Sequence, residues 1–491
     1  MTRAFAAVLA VVLAACTSPS TKPYAPKLHD PLPSQFGSTT TPPPAEPPTT
    51  GWWTTFHDAR LDDLVVRALH RNHDLTAAVA RLEAAAAQAR LAGVDLHPKL
   101  DATFDAARQR QNFVGLPIPG STGVLSRTYN SFGVDLTASW EVDLWGRIRA
   151  NRSAAVADLQ AAAVDLRGAR QSLAAQTAKA YFAAVEARLQ LDLAQRTALT
   201  YETTLRDVRT RFESGVRPSL DLRLVEANLA TAQASVEQRR EQLERARRQL
   251  ELLLGDYPSG LVEHAADLPP TPPPTPVGLP AELLTRRPDV VAAERRLAAE
   301  DERVAAAVRA FYPAIRLTGS AGTASNELKD LVDPDFFVWS LIGGLVQPLL
   351  DGGRLDAEHQ LAVARRRERA ATYAHTALRA FTEVESALAA ESALADRERH
   401  QRSAAESATT ARELSEQRYR DGLETVTTLL DAQRRALDAQ SQSLAVRRLR
   451  LDVRIDLHLA LGGGFELDIA PNRLLDADPG ESAAAPSLEN R

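Results

Sequence analysis

One cysteine, Cys16, is present in 491 residues. An intrachain disulfide framework, and any site built from several thiolates, is therefore excluded. Lysine is nearly as scarce: Lys22, Lys27, Lys99, Lys179 and Lys329 are the only ones, and arginine carries the rest of the positive charge. Basic and acidic residues number 58 and 63, a formal net charge of −5, so the basic excess of a nucleic-acid binder is missing. Beyond Cys16 no apolar run reaches the roughly 18 residues that a spanning helix needs. If the chain crosses a membrane, strands must do it. Neither a Gly-rich loop ending in Gly-Lys-Ser/Thr nor a Ser, His and Asp constellation stands out. His70 and His73 read as one helix face without a third ligand. No metal, cofactor or catalytic residue is expected, and the chain reads as a passive protein rather than an enzyme.

The place of the one cysteine is informative. Arg3 precedes an apolar run from Ala4 to Ala15, and Leu13-Ala14-Ala15-Cys16 follows the pattern of a bacterial lipobox. Residues 1–15 are thus expected to be a signal peptide and Cys16 the acylated N-terminus, with an ordinary secretory signal as the alternative. Acyl chains contribute about 0.8 kcal/mol per buried methylene, enough for a firm anchor when several are present. Thr17 follows the cysteine, in place of the Asp that favours inner-membrane retention, so an outer-membrane address is expected. Residues 16–50, with prolines from Thr41 to Pro48, read as a polar tether.

A second Pro-rich stretch, Leu268 to Pro280, lies mid-chain and reads as an extended linker over residues 266–282. It separates two copies of one unit. Arg211-Phe212-Glu213-Ser214-Gly215 matches Arg418-Tyr419-Arg420-Asp421-Gly422 at an offset of 422 − 215 = 207. The same offset pairs Gly146-Arg147 with Gly353-Arg354, Leu222 with Leu429, and Leu254-Gly255 with Leu461-Gly462. The copies span residues 51–265 and 283–465, and a polar tail follows over 466–491.

Each copy promises two long helices, at 147–212 and 218–254 and again at 354–420 and 424–461. From Asn151 to Phe212 there is no proline and one glycine, Gly168; from Leu355 to Arg420 there is neither. A helix of about 65 residues is about 100 Å long. Leu159, Leu166, Leu173 and Ala180 step by seven, as do Leu222, Leu229, Val236, Leu243 and Leu250, so the helices should lie side by side with a left-handed twist. On the helices alone a coiled-coil scaffold stands beside a tube.

The strands separate these readings. Phe132, Val134, Leu136, Ala138 and Trp140 share one face of a period-2 run, and Ser131, Gly133, Asp135, Thr137 and Ser139 share the other. The expected strands, about 99–112, 129–142, 314–325 and 336–348, are as long as transmembrane β-strands, with the polar link Gly115–Arg127 as an outer loop. Tyr129, Trp140, Phe311, Tyr312, Phe336 and Trp339 suit an interfacial aromatic girdle. A small soluble sheet is the alternative. Four strands cannot close a barrel in lipid, but three copies supply twelve. The expected fold is an α+β membrane protein: a trimeric β-barrel of four strands per chain, continued by a long α-helical periplasmic barrel, with a small mixed equatorial region.

Several motifs then point to one family. They are Gly278-Leu279-Pro280-x-x-Leu283-Leu284-x-Arg286-Arg287-Pro288-Asp289, Trp140-Glu141-Val142-Asp143-Leu144-Trp145-Gly146-Arg147, Gln347-Pro348-Leu349-Leu350-Asp351-Gly352-Gly353-Arg354 and Ala460-Leu461-Gly462-Gly463-Gly464. The chain resembles TolC-type outer-membrane factors of the OprM/NodT-like lipoprotein branch, from Cys16 to about Phe465. The resemblance implies a homotrimeric exit duct of a tripartite RND-type efflux system, partnered by a periplasmic adaptor and an inner-membrane pump and seated in outer-membrane lipid. A type I-like protein-secretion duct and a lipid-anchored periplasmic scaffold or adaptor are the alternatives. The resemblance also implies a gate at the periplasmic helix tips. Asp431 would stand in an acidic ring there, Arg418 and Tyr419 in the bonds that hold the helix pairs closed. Thr427 stands where relatives often have Leu, and Glu424 adds charge.

Overall fold

A computed structural model of the chain describes residues 33, 36, 37, 51–113, 125–263, 265–275, 277, 278 and 280–464. Cys16, the rest of the tether and the C-terminal tail lie outside the described residues.

The first copy opens with a 3-10 turn, Trp52–Phe56, and helix α1, Ala59–Arg71. The Asp58 carboxylate accepts from Arg60 N and Leu61 N, and so caps α1. Asn72 ends α1 and its side chain accepts from Leu75 N, starting helix α2, His73–Val94, on a new axis. His70 and His73 therefore lie on different helices, and the shared face expected for them does not form. No group of three or more His, Cys, Asp or Glu side chains among the described residues is placed to hold a metal.

Strands β1 (Lys99–Phe113) and β2 (Leu125–Val142) follow, then helices α3 (Arg147–Glu213) and α4 (Ser219–Leu254). The second copy repeats the order with helices α5 (Pro280–Arg286) and α6 (Pro288–Arg309), strands β3 (Ala314–Ser325) and β4 (Phe337–Val346), and helices α7 (Arg354–Arg420) and α8 (Val426–Ala460). Helices α3 and α7 have 67 residues each, about 100 Å.

The strands form one antiparallel sheet in the order β1-β2-β3-β4. Its ladders run without a bulge. One row pairs Ala102 with Leu136, Leu136 with Ala321 and Ala321 with Trp339. Paired residues share a face, so the apolar sides of all four strands form a single surface, from Leu100 and Phe104 to Trp339, Leu341 and Leu345, exposed in the protomer. A soluble protein would cover it; in lipid it is the required outer wall. Trp140 and Trp339 stand on this face near opposite ends of their strands. Tyr129 does not join them: its register puts it on the polar face, where its hydroxyl donates to Gln109. Tyr312 instead stacks on Trp145 beneath the sheet, ring centroids 5.1 Å apart. Strands β1 and β4 each keep one unpaired edge.

The helices form a layer with the same openness. Near the sheet, α2 packs on α3, α3 on α6 and α6 on α7; farther away, α4 packs on α3, α3 on α8 and α8 on α7. Helix α7 is thus one border of the layer, and α2 with α4 the other. The main core sits at the equator, where Trp52, Phe56, Leu61, Tyr181, Phe182 and Leu250 interlock. Burying such side chains contributes about 1.5–3 kcal/mol each.

The Pro-rich segment is packed as well as extended. Leu268 and Val277 are buried, and Pro273 O accepts from Arg454 of α8. Its end, from Pro280, is already helix α5. The buried Arg454 guanidinium requires acceptors, and the proline segment, with carbonyls unused by any helix, supplies one.

Candidate functional site

Two places decide what this architecture does: the joint between strands and helices, and the far tips of the helices. At the joint, Asp143 accepts from Ile148 N and Arg149 N at 3.0 and 2.9 Å, capping α3, while Gly146 turns the chain at φ 80°. The second copy uses one residue fewer: Asp351 accepts from Gly353 N and Leu355 N, and Gly353 stands at φ 82°. Those backbone N–H groups hold the Asp351 carboxyl below the usual range. Trp145 donates to Pro313 O and Arg309 to Gly146 O, so the joints of the two copies are tied together. The Arg286-Arg287-Pro288-Asp289 motif serves the equator. Arg287 is buried and donates to Asp289, to Glu383 of α7 and to Ala460 O at the end of α8.

At the tips both hairpins close alike. Gly215 and Gly422 take φ 72° and 77°, and Val216 N and Leu423 N reach back to Arg211 O and Arg418 O. Between the hairpins lies an asymmetric clasp. Tyr419 is buried, with the guanidinium groups of Arg211 and Arg217 at 5.0 and 5.4 Å from its ring centre. Arg211 also donates to Tyr419 O and Arg420 O, capping the C-terminus of α7, and Arg217 donates to Glu424 O. Arg418 itself is exposed and lies 3.7 Å from Glu424 within its own turn. Glu424 is held below its ordinary pKa, first by Thr425 N–H and then by Thr428 and Arg418. Thr427 is exposed, its hydroxyl 2.8 Å from that of Thr425.

Asp431 is not a bare carboxylate. Arg434 and Arg435, three and four residues on, each reach it at 2.7 Å and lower its pKa. The site thus brings Arg418, Glu424 and Tyr419 into one turn and leaves Asp431 nearly two turns along α8. Arg211 and Arg217, which cross between hairpins, were not singled out from the sequence. The 207-residue offset pairs Arg211 with Arg418 and Arg217 with Glu424 as equivalent positions of the two copies, but equivalence does not reveal the contact.

Comparison with known proteins agrees with this architecture. The family model described as "Outer membrane efflux protein" matches residues 64–256 and 279–463, one match in each copy. The chain is similar to the pyoverdine export outer membrane protein OpmQ of Pseudomonas putida, 34% identical over 85% of this chain and 88% of the relative. It is also similar to outer membrane protein OprJ of Pseudomonas aeruginosa, 35% identical over 83% and 85%. Among solved structures, the MtrE outer membrane channel of Neisseria gonorrhoeae superposes with a TM-score of 0.77 at 30% identity, covering 90% of this chain and 98% of that one. The single-faced sheet and the layered helices are accordingly one third of a trimeric channel, in which twelve strands form the membrane barrel and the helices continue it. The chain belongs to the outer membrane efflux protein family.

Proposed function

We propose that three copies of this chain form the exit duct of a tripartite efflux machine, anchored through acylated Cys16 and closed at the periplasmic tips. One observation carries the reading: a sheet with a continuous exposed apolar face passes, through two capped turns, into helices about 100 Å long. A scaffold or adaptor has no use for such a face. A passive conduit needs drive from elsewhere, so an inner-membrane pump and a periplasmic adaptor complete the machine. The relative OpmQ bears the name of a pyoverdine exporter, which favours small molecules as cargo here.

In this reading the clasp of Arg211, Arg217 and Tyr419 keeps the two tip hairpins together, and Arg418 and Glu424 stiffen the turn beside Thr427. Asp431 with its two arginines stands at the aperture, where three copies make a ring of ion pairs. The test is single-channel recording in planar bilayers. Asp431→Ala leaves Arg434 and Arg435 uncompensated, so its reversal potential in a salt gradient should move toward anion preference. Arg211→Ala with Arg217→Ala should raise the open probability. Channels with unchanged selectivity and gating in both variants refute the gate, and well-folded protein that forms no channels refutes the duct.

A further inference from the structure

The inner face of the sheet is polar on three strands and apolar on the fourth. Between Lys99 and Ala107, Ser131 and Glu141, and Ala314 and Ala324, this face carries only charged, hydroxyl, glycine or alanine residues. On β4 the same face presents Val338, Ile342 and Val346, exposed by 47%, 61% and 52%. The register leaves no doubt about their side: Val338 pairs with Gly322, Ile342 with Thr318 and Val346 with Ala314. Lipid contact does not explain them, because Phe337, Trp339, Leu341 and Leu345 already supply the outer face of β4.

The charge around this stripe is acidic. Three bases stand on the inner face: Arg127 lies at the far end of β2, beyond the stripe, Lys99 is taken by Asp95, and Arg316 lies nearest Glu141, which also binds Arg147. Asp101, Asp105 and Asp135 form no ion pair among the described residues. Asp135 is in the ladder row of Gly322 and Val338. A Cβ at Gly322 would lie 2.5 Å from Asp135 Oδ1, so the carboxylate lies over the glycine, one strand away from Val338. Closing the barrel sets the free edge of β4 beside β1 of the next copy, the strand that bears Asp101 and Asp105. Carboxylates therefore flank the stripe on both sides.

We propose that this stripe is a transient binding track for amphipathic organic cations inside the barrel, three tracks per channel. It deepens the duct reading and rests on it. Apolar groups of the solute slide along Val338, Ile342 and Val346 while its positive charge is shared among the carboxylates. A purely polar lumen would offer such solutes nothing over potassium.

The experiment is block of potassium current through single channels of the full protein by tetrabutylammonium, with tetramethylammonium as the polar comparison. In wild type the tetrabutylammonium blocks should be the longer. The triple variant Val338→Thr, Ile342→Thr, Val346→Thr keeps β-branched side chains and should keep the potassium conductance, yet shorten the tetrabutylammonium dwell at least about fivefold. Thr318→Val, opposite Ile342, widens the stripe and should lengthen that dwell. Asp135→Asn should shorten the dwell of both cations. Tetrabutylammonium dwell unchanged by the Thr318→Val and triple variants, in channels of normal conductance, overturns the track and leaves the duct standing. Absence of channels in wild type removes the duct, and the track with it.

Discussion

Helices α3 and α7 hold equivalent places in the two copies and have the same length, yet they are packed very differently. Twenty-six side chains of α3 are buried in the protomer and nine of α7. The return helices reverse the order: six are buried on α4 and twelve on α8. The two well-buried helices, α3 and α8, are neighbours at the middle of the layer, and the exposed ones form its borders. Duplication therefore supplied two similar hairpins, and position in the layer decided which helix became core and which became edge. The sheet obeys the same rule, with β2 and β3 paired on both sides and β1 and β4 on one. A protomer built this way stays unfinished at matching edges, and further copies complete it.

The comparison is broken most directly by cutting side chains on the two long helices. Phe182→Ala in α3 should cost about 3–5 kcal/mol of protomer stability. Leu378→Ala on the exposed side of α7 should cost less than about 1 kcal/mol in the protomer, because it leaves no cavity there. Denaturant titration of the detergent-dissociated chain reads both, and a larger loss from Leu378→Ala would show that α7 is no border.

A smaller effect separates Arg454 from Arg247, its counterpart 207 residues earlier. Arg454 is buried, bonded to Glu391 and to Pro273 O, and burial lowers its pKa to about 10. Arg454→Met strands Glu391 and should cost about 3 kcal/mol. Arg247, partly exposed and 3.4 Å from Glu244, should yield less than about 1 kcal/mol as Arg247→Met. Equal losses would mean that the copies share one stabilising pattern after all.

The smallest expected effect is a pH slope centred on the second copy. Burial lifts Asp452 to about 6 despite Arg448 and Lys179, and burial together with Arg454 drives His458 down to about 4. Between pH 4 and 6 the folded chain keeps the Asp452 proton that the unfolded chain has lost, so that contribution fades as pH rises. Across nearly the same window the unfolded chain binds a proton at His458 that the folded chain refuses, so that contribution fades as pH falls. The two oppose each other. Asp452→Asn should make stability fall on acidification, and His458→Gln should make it rise, each by at most about 1.4 kcal/mol per pH unit. The first copy has Glu251 where the second has His458. Burial opposes the Glu251 charge, but Gly260, Leu261 and Val262 N–H and the Ser259 hydroxyl outweigh it and hold the pKa low. Glu251→Gln should therefore leave the slope near pH 6 untouched and act only as pH falls toward the ordinary glutamate value of 4.5, where the unfolded chain takes up a proton that the folded chain refuses. Urea midpoints measured across that range decide it.

Much of this was legible in the residues because the signals are periodic. Alternation from Ser131 to Trp140 placed an apolar face on β2, and the Pro-free, nearly Gly-free runs predicted helices of the observed length. The constant offset of 207 exposed the duplication. What stayed hidden depends on groups distant in sequence. Arg454 meets Pro273 across 181 residues, so a segment that composition marks as a linker is held against the core. The tip clasp joins Arg211 to Tyr419 O across 208 residues, and no local pattern announces it. The Arg434 and Arg435 partners of Asp431 are different in kind. Their spacing of three and four from the carboxylate is a local helix signal that the sequence carries in full.

The claim that the protomer is open at both edges, in strands and helices alike, is tested most directly by the mass of the detergent-extracted assembly in native mass spectrometry. Three chains per particle on extraction in mild detergent is the expected result. Particles of one chain under those conditions, with the apolar sheet face and α7 both exposed, would contradict it.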